Sequence, residues 1–205
     1  IPLKEKLEVE ELPALKNNYI TYGSFNSFSK ISDETIDIWS ELLIKTNSKL
    51  ILKSSNKRYL EGNAILLNKF KKCGVNLNNI KILDRTVNFT DHLKCYNSID
   101  IALDTFPYNG ATTSFEAIWM GVPVLTIYGS TFNSRYGYSI NKNLALDKFI
   151  ATNKNNFISK GISASSNLEE LSKLRDSIRY KALNSPLFDT KGFNESFIEK
   201  INRLF

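Results

Sequence analysis

The stretch Ser98–Thr126, SIDIALDTFPYNGATTSFEAIWMGVPVLT, decides the fold that this chain can adopt. It begins with an apolar run of strand length, Ile99–Leu103, which is followed by a loop rich in Pro and Gly. A segment of helical period, Thr112–Met120, ends at a glycine and leads directly into a second apolar run, Val122–Ile127. Two buried strands joined by a helix form the repeating unit of a parallel sheet.

Outward from this unit, short apolar runs alternate with segments of helical period along the chain. This alternation predicts an α/β fold with a doubly wound parallel sheet and a pair of C-terminal helices. The remaining predicted strands are Tyr19–Tyr22, Leu50–Leu52 and Ile80–Leu83, and the remaining predicted helices follow Ser32 and span 58–72, 91–97, 168–183 and 194–204.

Three parts of the chain are predicted from these patterns. Residues 1–16, which begin without Met and are highly charged, are expected to be a linker from a missing N-terminal region. Residues 17–165 are expected to form the α/β domain, and residues 166–205 a helical appendage that packs on it.

Composition narrows the class of protein. A chain of 205 residues that is 42% hydrophobic can bury a sizeable core. Its two cysteines form no metal-binding motif, and no signal peptide or apolar run of membrane-spanning length occurs, so we expect a cytoplasmic protein. The net charge of +6 comes from scattered lysines rather than a basic stripe, which argues against nucleic-acid binding.

Polar side chains gather in three loops that follow predicted strands, at 23–30, 84–92 and 104–113. Because the carboxyl ends of parallel strands meet at one edge of a sheet, these loops are expected to form one ligand crevice. No phosphate-binding P-loop, dinucleotide-binding or hydrolase-elbow motif is present. Asp100 and Asp104 would lie about 13 Å apart on one strand, too far to share a metal ion, so no metal site is predicted.

The loop at 104–113 carries the most specific signal. Asn109 and Gly110 allow a close backbone approach, and Thr112 and Thr113 then offer hydroxyls and free amides to an anion at a helix start. Glu116 lies one turn further on, at a distance that suits a ribose hydroxyl beside a bound phosphate. The alternative is that Thr112 is an ordinary helix cap and Glu116 an ordinary first-turn acid.

Two further side chains are candidates for the same crevice. Lys30 follows a glycine-containing loop and could reach a phosphate, although an isolated lysine is more often a solvated surface residue. His92 is the only histidine and is predicted in the first turn of a short helix, where the helix dipole would keep its ring neutral for stacking on a base. The alternative is a histidine held by local hydrogen bonds.

Several motifs, spaced in order along most of the chain, resemble the C-terminal catalytic half of glycosyltransferase family 41, the family of O-linked N-acetylglucosamine transferase and SPINDLY-type proteins. This resemblance implies the GT-B fold, in which two Rossmann-like halves share the work and the C-terminal half holds most of the donor. Besides the run from Asp100, the matching segments are GSFNSFSKIS (Gly23–Ser32), DHLKCY (Asp91–Tyr96), SRYG (Ser134–Gly137) and SPLFDT (Ser185–Thr190).

The resemblance also implies a role for each matching residue. Lys30 corresponds to the family lysine that contacts the donor diphosphate, and His92 to the histidine that packs on the uracil ring. Thr112 and Thr113 correspond to the threonines on the phosphates, and Glu116 stands where the family has an acid on the ribose. Lys30 is therefore the expected catalytic residue.

Other positions of the expected donor site differ from the family pattern. Asn26 and Ser27 lie in a loop that approaches the donor, and Ser27 replaces a glutamine of the animal enzymes. Ala111 replaces a histidine and Cys95 an arginine near the base. Because base and sugar are selected at such positions, the resemblance leaves both open, although a UDP-linked donor is expected.

The function implied is transfer of a hexose or N-acetylhexosamine, with inversion and without a cofactor or metal, to protein acceptors. The acceptor would be bound by a missing N-terminal region, which in the family often carries tetratricopeptide repeats, so this half alone would be inactive. Two alternatives stay open: a transferase that builds a surface glycan, and a nucleotide-sugar-binding module without catalysis.

Overall fold

The computed structural model of the protein describes residues 7–53 and 60–204, without the side chains of residues 60 and 61. All strand pairings in these residues are parallel. The strands are β1 (Thr21–Ser24), β2 (Lys49–Lys53), β3 (Ile80–Leu83), β4 (Ile101–Leu103), β5 (Val124–Ile127) and β6 (Ile150–Ala151). They form one six-stranded sheet in the order β3-β2-β1-β4-β5-β6. The order reverses between β1 and β4, and crevices for ligands form at such a point.

Helices flank the sheet in chain order, and the predicted α/β fold is confirmed. α2 shows why one of them begins where it does: the Ser32 side chain accepts a hydrogen bond from the amide of Thr35 at 3.1 Å. The helices are α1 (Pro13–Asn17), α2 (Asp33–Thr46), α3 (Leu60–Lys72), α4 (Phe89–Lys94), α5 (Thr112–Trp119), α6 (Tyr136–Asn143), α7 (Lys154–Ser166), α8 (Leu168–Leu183) and α9 (Thr190–Asn202).

The core lies on both faces of the sheet, as expected for parallel strands. Tyr22 of β1 pairs in register with Leu50 of β2 and with Ile101 of β4, and all three side chains are fully buried. Trp39 of α2 is also buried against the sheet. These central strands therefore hold the carboxyl ends of β1, β2 and β4 rigidly side by side.

Several predicted boundaries differ from the structure. Strand β1 lies two residues later than predicted, and α4 begins at Phe89 rather than residue 91 because the Asn88 side chain caps the amide of Asp91 at 2.8 Å. α9 begins at Thr190 rather than residue 194. Arg58, where the second helix was predicted to begin, lies outside the described residues.

Four elements were not predicted: α1, α6, β6 and α7. α6 and α7 are rich in Asn, Ser and Gly, which are weak helix formers, so their helical period is faint in the sequence. Strand β6 has only two residues. α6, α7 and β6 all contact β5, so packing rather than local propensity accounts for these three elements.

Residues 7–16, the described part of the predicted linker, pack against the domain. Leu7 and Leu12 are buried, and the Arg175 guanidinium donates from Nε to the carbonyl of Glu10 at 2.7 Å. Arg179 donates to the carbonyl of Leu7 at 2.6 Å. The predicted division of the chain at residues 16 and 165 stays a prediction.

Three further observations concern the helices and the cysteines. Among residues 7–53 and 60–204, no helix combines the length and apolar character needed to cross a bilayer. α9 carries several exposed apolar side chains and has no buried residue. Cys73 and Cys95 are both free thiols.

Candidate functional site

A cleft of about 420 Å³ opens at the carboxyl edge of the sheet. The carboxyl end of β2 and the loops after β1 and β3 form its walls together with α4 and α5. Among the residues singled out in the sequence, Ser27, His92, Thr113 and Glu116 line it. The three loops predicted to meet at one crevice do meet there.

Lys30 lies beside the cleft but is not part of its lining. Its ammonium donates to the carbonyl of Asn109 at 3.1 Å and sits 3.9 Å from the centre of the Tyr108 ring. Burial lowers the pKa of Lys30, and the nearby charge of Asp104 opposes that shift. The lysine therefore joins the loops after β1 and β4, and it is not the freely solvated residue of the alternative interpretation.

Asn109 and Gly110 shape the loop after β4 from within. The side-chain amide of Asn109 donates to the carbonyl of Thr105 at 2.8 Å, and the amide of Gly110 donates to Asp104 at 2.6 Å. Both residues are buried. The Asn109 side chain therefore holds the loop together and is turned to its interior, while its carbonyl receives Lys30.

Position 110 has no room for a side chain unless the neighbouring side chains move. A Cβ atom at this position would lie 2.5 Å from Oγ1 of Thr113 and 2.6 Å from Oδ1 of Asn26. Those two side chains are themselves bonded, since Thr113 donates to Asn26 at 2.8 Å. Asn26 therefore supports Thr113 from behind, and the loops after β1 and β4 interlock at this point.

Helix α5 presents its start to the same edge of the sheet. The cap position is Ala111 and no side chain caps the helix, so the interpretation of Thr112 as an ordinary cap is wrong. Thr112 is exposed. Among the described residues, the amides of Thr112 and Thr113 find no hydrogen-bond acceptor, and such amides at a helix start can bind an anion.

Glu116 is less open than predicted. It is only 4% exposed, and its Oε2 lies 3.0 Å from Nε2 of His92 and 3.1 Å from the hydroxyl of Tyr96. Burial, helped by the Glu116 carboxylate, raises the pKa of Tyr96 well above its usual value. The other carboxylate oxygen, Oε1, has no partner among the described residues, and Glu116 lines the cleft. One oxygen is thus held and the other is available.

His92 lies in the last turn of α4, so its predicted place in the first turn is wrong. The ring is 6.0 Å from that of Phe89 at an angle of 26°, and 6.1 Å from that of Phe25. Three aromatic rings therefore form one wall of the cleft, whereas the start of α5 offers polar backbone amides. A flat heteroaromatic ring could stack on such a wall.

Sequence reasoning missed Lys53, which is the last residue of β2. Its ammonium lies 2.7 Å from Nδ1 of His92 and lines the cleft, although only 3% of the residue is exposed. Burial lowers the pKa of Lys53, and the charges of Cys95 and Glu116 oppose the shift. A lysine directly after an apolar run at a strand's carboxyl end was the available signal.

Ser27 is exposed, and its hydroxyl lies 2.9 Å from that of Ser29. It therefore contributes an adaptable hydroxyl to the rim of the cleft. Across residues 7–53 and 60–204, no group of three or more His, Cys, Asp and Glu side chains is arranged to hold a metal ion.

Comparisons with known proteins identify the family of this chain. A probable UDP-N-acetylglucosamine–peptide N-acetylglucosaminyltransferase SPINDLY from Solanum lycopersicum is 34% identical over 203 residues, which cover 98% of this chain and 22% of that protein. A mutant O-GlcNAc transferase from Thermobaculum terrenum superimposes with a TM-score of 0.84 at 29% identity, over 90% of this chain and 36% of that one.

A more distant structure, sucrose-phosphate synthase from Thermosynechococcus elongatus, shares the fold at 10% identity with a TM-score of 0.65, covering 94% of this chain and 48% of its own. The chain spans only about a fifth of the length of the curated relatives that it matches. The model of glycosyl transferase family 41 matches residues 6–197. The chain therefore belongs to glycosyltransferase family 41.

Proposed function

We propose that this chain is the donor-binding half of a glycosyltransferase that moves a hexose or N-acetylhexosamine from a nucleotide diphosphate to proteins, with inversion and without a metal or cofactor. The observation that carries the proposal is the two-ended cleft, which offers unpaired helix amides at one end and aromatic rings at the other. A sugar nucleotide has the same two ends, an anionic diphosphate and a flat base.

The anionic end suits the departing diphosphate. The free amides of Thr112 and Thr113 and the hydroxyl of Thr113 point to one edge, and Lys30 is held beside them by the Asn109 carbonyl. Groups fixed in place before the reaction stabilise charge that develops on a leaving group without reorganising. Lys30 is therefore proposed as the catalytic residue, because it would neutralise the charge that appears when the glycosidic bond breaks.

The other end suits the nucleoside. The base would stack on His92, and the free Oε1 of Glu116 would accept a hydrogen bond from a ribose hydroxyl. Asn26 acts indirectly by fixing Thr113, and Ser27 lies at the rim where the sugar would enter. We propose a UDP-linked donor.

The acceptor site is a separate part of the proposal. Relatives are named as peptide transferases, and this chain spans about a fifth of their length. We therefore propose that a protein acceptor is bound by an additional N-terminal region with tetratricopeptide repeats. The compartment proposed is the cytoplasm, and nucleic acid is not a proposed partner.

Calorimetric titration of the chain with UDP, GDP and their sugar conjugates tests donor binding. Micromolar binding of at least one nucleotide is expected, and an absence of binding to all of them would refute the proposal. Transfer to protein by the complete enzyme is then measured with each donor that binds. Transfer to a glycan instead would support the surface-glycan alternative, and binding without turnover would support a module without catalysis.

A Lys30→Ala substitution in the complete enzyme tests the catalytic role. We expect kcat to fall by about 100-fold or more, since loss of one preorganised donor to a developing charge has an effect of that order. The matched control is Lys81→Ala on β3, an exposed lysine away from the cleft. Unchanged turnover in the Lys30 variant would remove this residue from the mechanism.

A further inference from the structure

Four side chains form a continuous line of polar contacts at the cleft, and three of them line it. Nζ of Lys53 lies 2.7 Å from Nδ1 of His92, and Nε2 of His92 lies 3.0 Å from Oε2 of Glu116. The hydroxyl of Tyr96 lies 3.1 Å from the same carboxylate oxygen. The line joins β2, α4, the turn Cys95–Ser98 and α5.

The chemistry of the end groups fixes the hydrogen positions in between. A lysine amine in its ammonium form can only donate hydrogen bonds, so Nδ1 of His92 must accept and carries no hydrogen. A carboxylate can only accept, so Nε2 of His92 must carry the hydrogen that points to Glu116. The imidazole is therefore the Nε2–H tautomer.

We propose that Lys53 is a positioning residue for the donor site: it selects the Nε2–H tautomer of His92, which in turn anchors Oε2 of Glu116 and leaves Oε1 to the ribose. This role rests on the proposed donor binding in the cleft. Lys53 acts through His92 and Glu116, and it needs no direct contact with the substrate.

The surroundings of Lys53 argue against a purely structural role. The residue is 3% exposed, and no carboxylate in the described part of the chain lies within ion-pair distance of its ammonium. Its remaining contact is a long one, 3.4 Å to the hydroxyl of Thr86. Burial of a charge with so few partners is costly, and a methionine would fill the same space without that cost. The cation therefore serves the histidine.

The aromatic neighbours of His92 do not fix its tautomer. Phe89 and Phe25 contact the ring faces and edges through packing, which is the same for both tautomers. Without the ammonium, only the Glu116 carboxylate would favour the Nε2–H tautomer, and the Nδ1–H tautomer would become accessible. In that tautomer Nε2 would face the Glu116 carboxylate as a second acceptor. That arrangement would release Glu116 from its anchored position.

Nitrogen-15 NMR of the ring tests the assignment directly, because His92 is the only histidine in the chain. In the wild-type chain near neutral pH, Nδ1 is expected to show an acceptor-type shift and Nε2 a protonated-type shift. An Nδ1–H tautomer in the wild type would overturn the proposal. This measurement needs no nucleotide and no variant, so it remains decisive if a Lys53 variant fails to fold.

The Lys53→Met variant tests the function of the contact. We expect the Nδ1–H tautomer to become populated and the affinity for UDP to fall by about tenfold, the effect of one hydrogen bond to a charged group. The matched control is Lys49→Met at the opposite end of β2, where the ammonium lies over Tyr19; both readouts should match the wild type.

The outcomes separate the two proposals. An unchanged tautomer, or a changed tautomer with unchanged affinity, in the Lys53 variant would refute the positioning role while donor binding stands. The expected tautomer in a wild-type chain that binds no nucleotide would refute the proposed function, and the positioning role would fall with it.

Discussion

Two aspartates at opposite ends of β4 show how differently the two edges of the sheet are built. Asp100 precedes the strand, and its carboxylate accepts from the amides of Ala14 at 2.8 Å and Thr21 at 2.7 Å. Asp104 follows the strand and accepts from the amide of Gly110 at 2.6 Å and the hydroxyl of Thr126 at 2.7 Å. Both are buried, and each ties distant segments of the chain together.

The difference lies in the neighbouring charge. Burial raises the pKa of Asp100, but two amides and the buried Arg175 oppose the shift. Burial raises the pKa of Asp104 to about 7, opposed by its hydrogen bonds and, last, by the more distant Lys30. The amino edge is thus the better balanced of the two, whereas the carboxyl edge carries a more weakly compensated carboxylate beside the candidate site. Perturbed groups of this kind gather where proteins bind ligands.

Loss of the balanced aspartate should have the largest effect of all. Asp100→Ala removes the acceptor of two buried amides and a carboxylate that favours the charged form of Arg175, so we expect the free energy of unfolding to fall by about 3 kcal/mol. Urea denaturation measures it. Affinity for UDP should be unchanged at temperatures where the variant is folded, and weakened binding there would show that the two edges are not independent.

Loss of the uncompensated aspartate should instead change how stability depends on pH. Because the pKa of Asp104 is raised in the folded state, protonation of Asp104 stabilises the folded protein. This stabilisation is fully present below about pH 4 and is lost as pH rises through about 7. We expect Asp104→Asn to flatten the fall in unfolding free energy between pH 5 and 8 by about 2 kcal/mol. Denaturation at both pH values measures it.

The control for that experiment is Asp84→Asn, an exposed aspartate after β3. Its pH profile should follow the wild type. If the Asp104 variant keeps the wild-type slope as well, Asp104 ionises normally in the folded protein and the contrast with Asp100 disappears.

The smallest effect is expected from a crowded glycine at the carboxyl edge. Gly110→Ala would place a methyl group 2.5 Å from Thr113 and 2.6 Å from Asn26, so those side chains must shift. We expect UDP affinity to fall by about tenfold. The control is Gly192→Ala on α9, a comparable substitution outside the cleft. Calorimetry measures the UDP affinity of both variants, and an equal loss in both would show that the effect is not specific to position 110.

The sequence was a good guide to elements with strong local signals. Apolar runs such as Ile80–Leu83 and the glycine after α5 predicted strands and a helix end, and the strand ends then predicted one crevice. The candidate residues were found for the same reason, since they follow strands. Helices α6 and α7 escaped because their residues favour a helix only after packing on β5.

Contacts between distant segments could not be predicted. Lys53 and His92 are 39 residues apart, and Glu116 is 24 residues beyond His92, so no local pattern reveals that the histidine covers one oxygen of the carboxylate. The Asn88 cap moved α4 by two residues, which changed the turn that holds His92. Residue types predicted the chemistry, while tertiary packing decided which atoms remain available.

The interlock of Asn26, Gly110 and Thr113 has a consequence for how this family can diversify. Two loops that are 87 residues apart in the chain share one hydrogen bond and one space that admits no extra carbon atom. A larger residue at position 110 requires the side chains at positions 26 and 113 to shift or to be smaller. These loops are therefore expected to change as a pair during evolution. Replacing one of them with the loop of a relative, while keeping the other, should break this contact and inactivate the resulting protein.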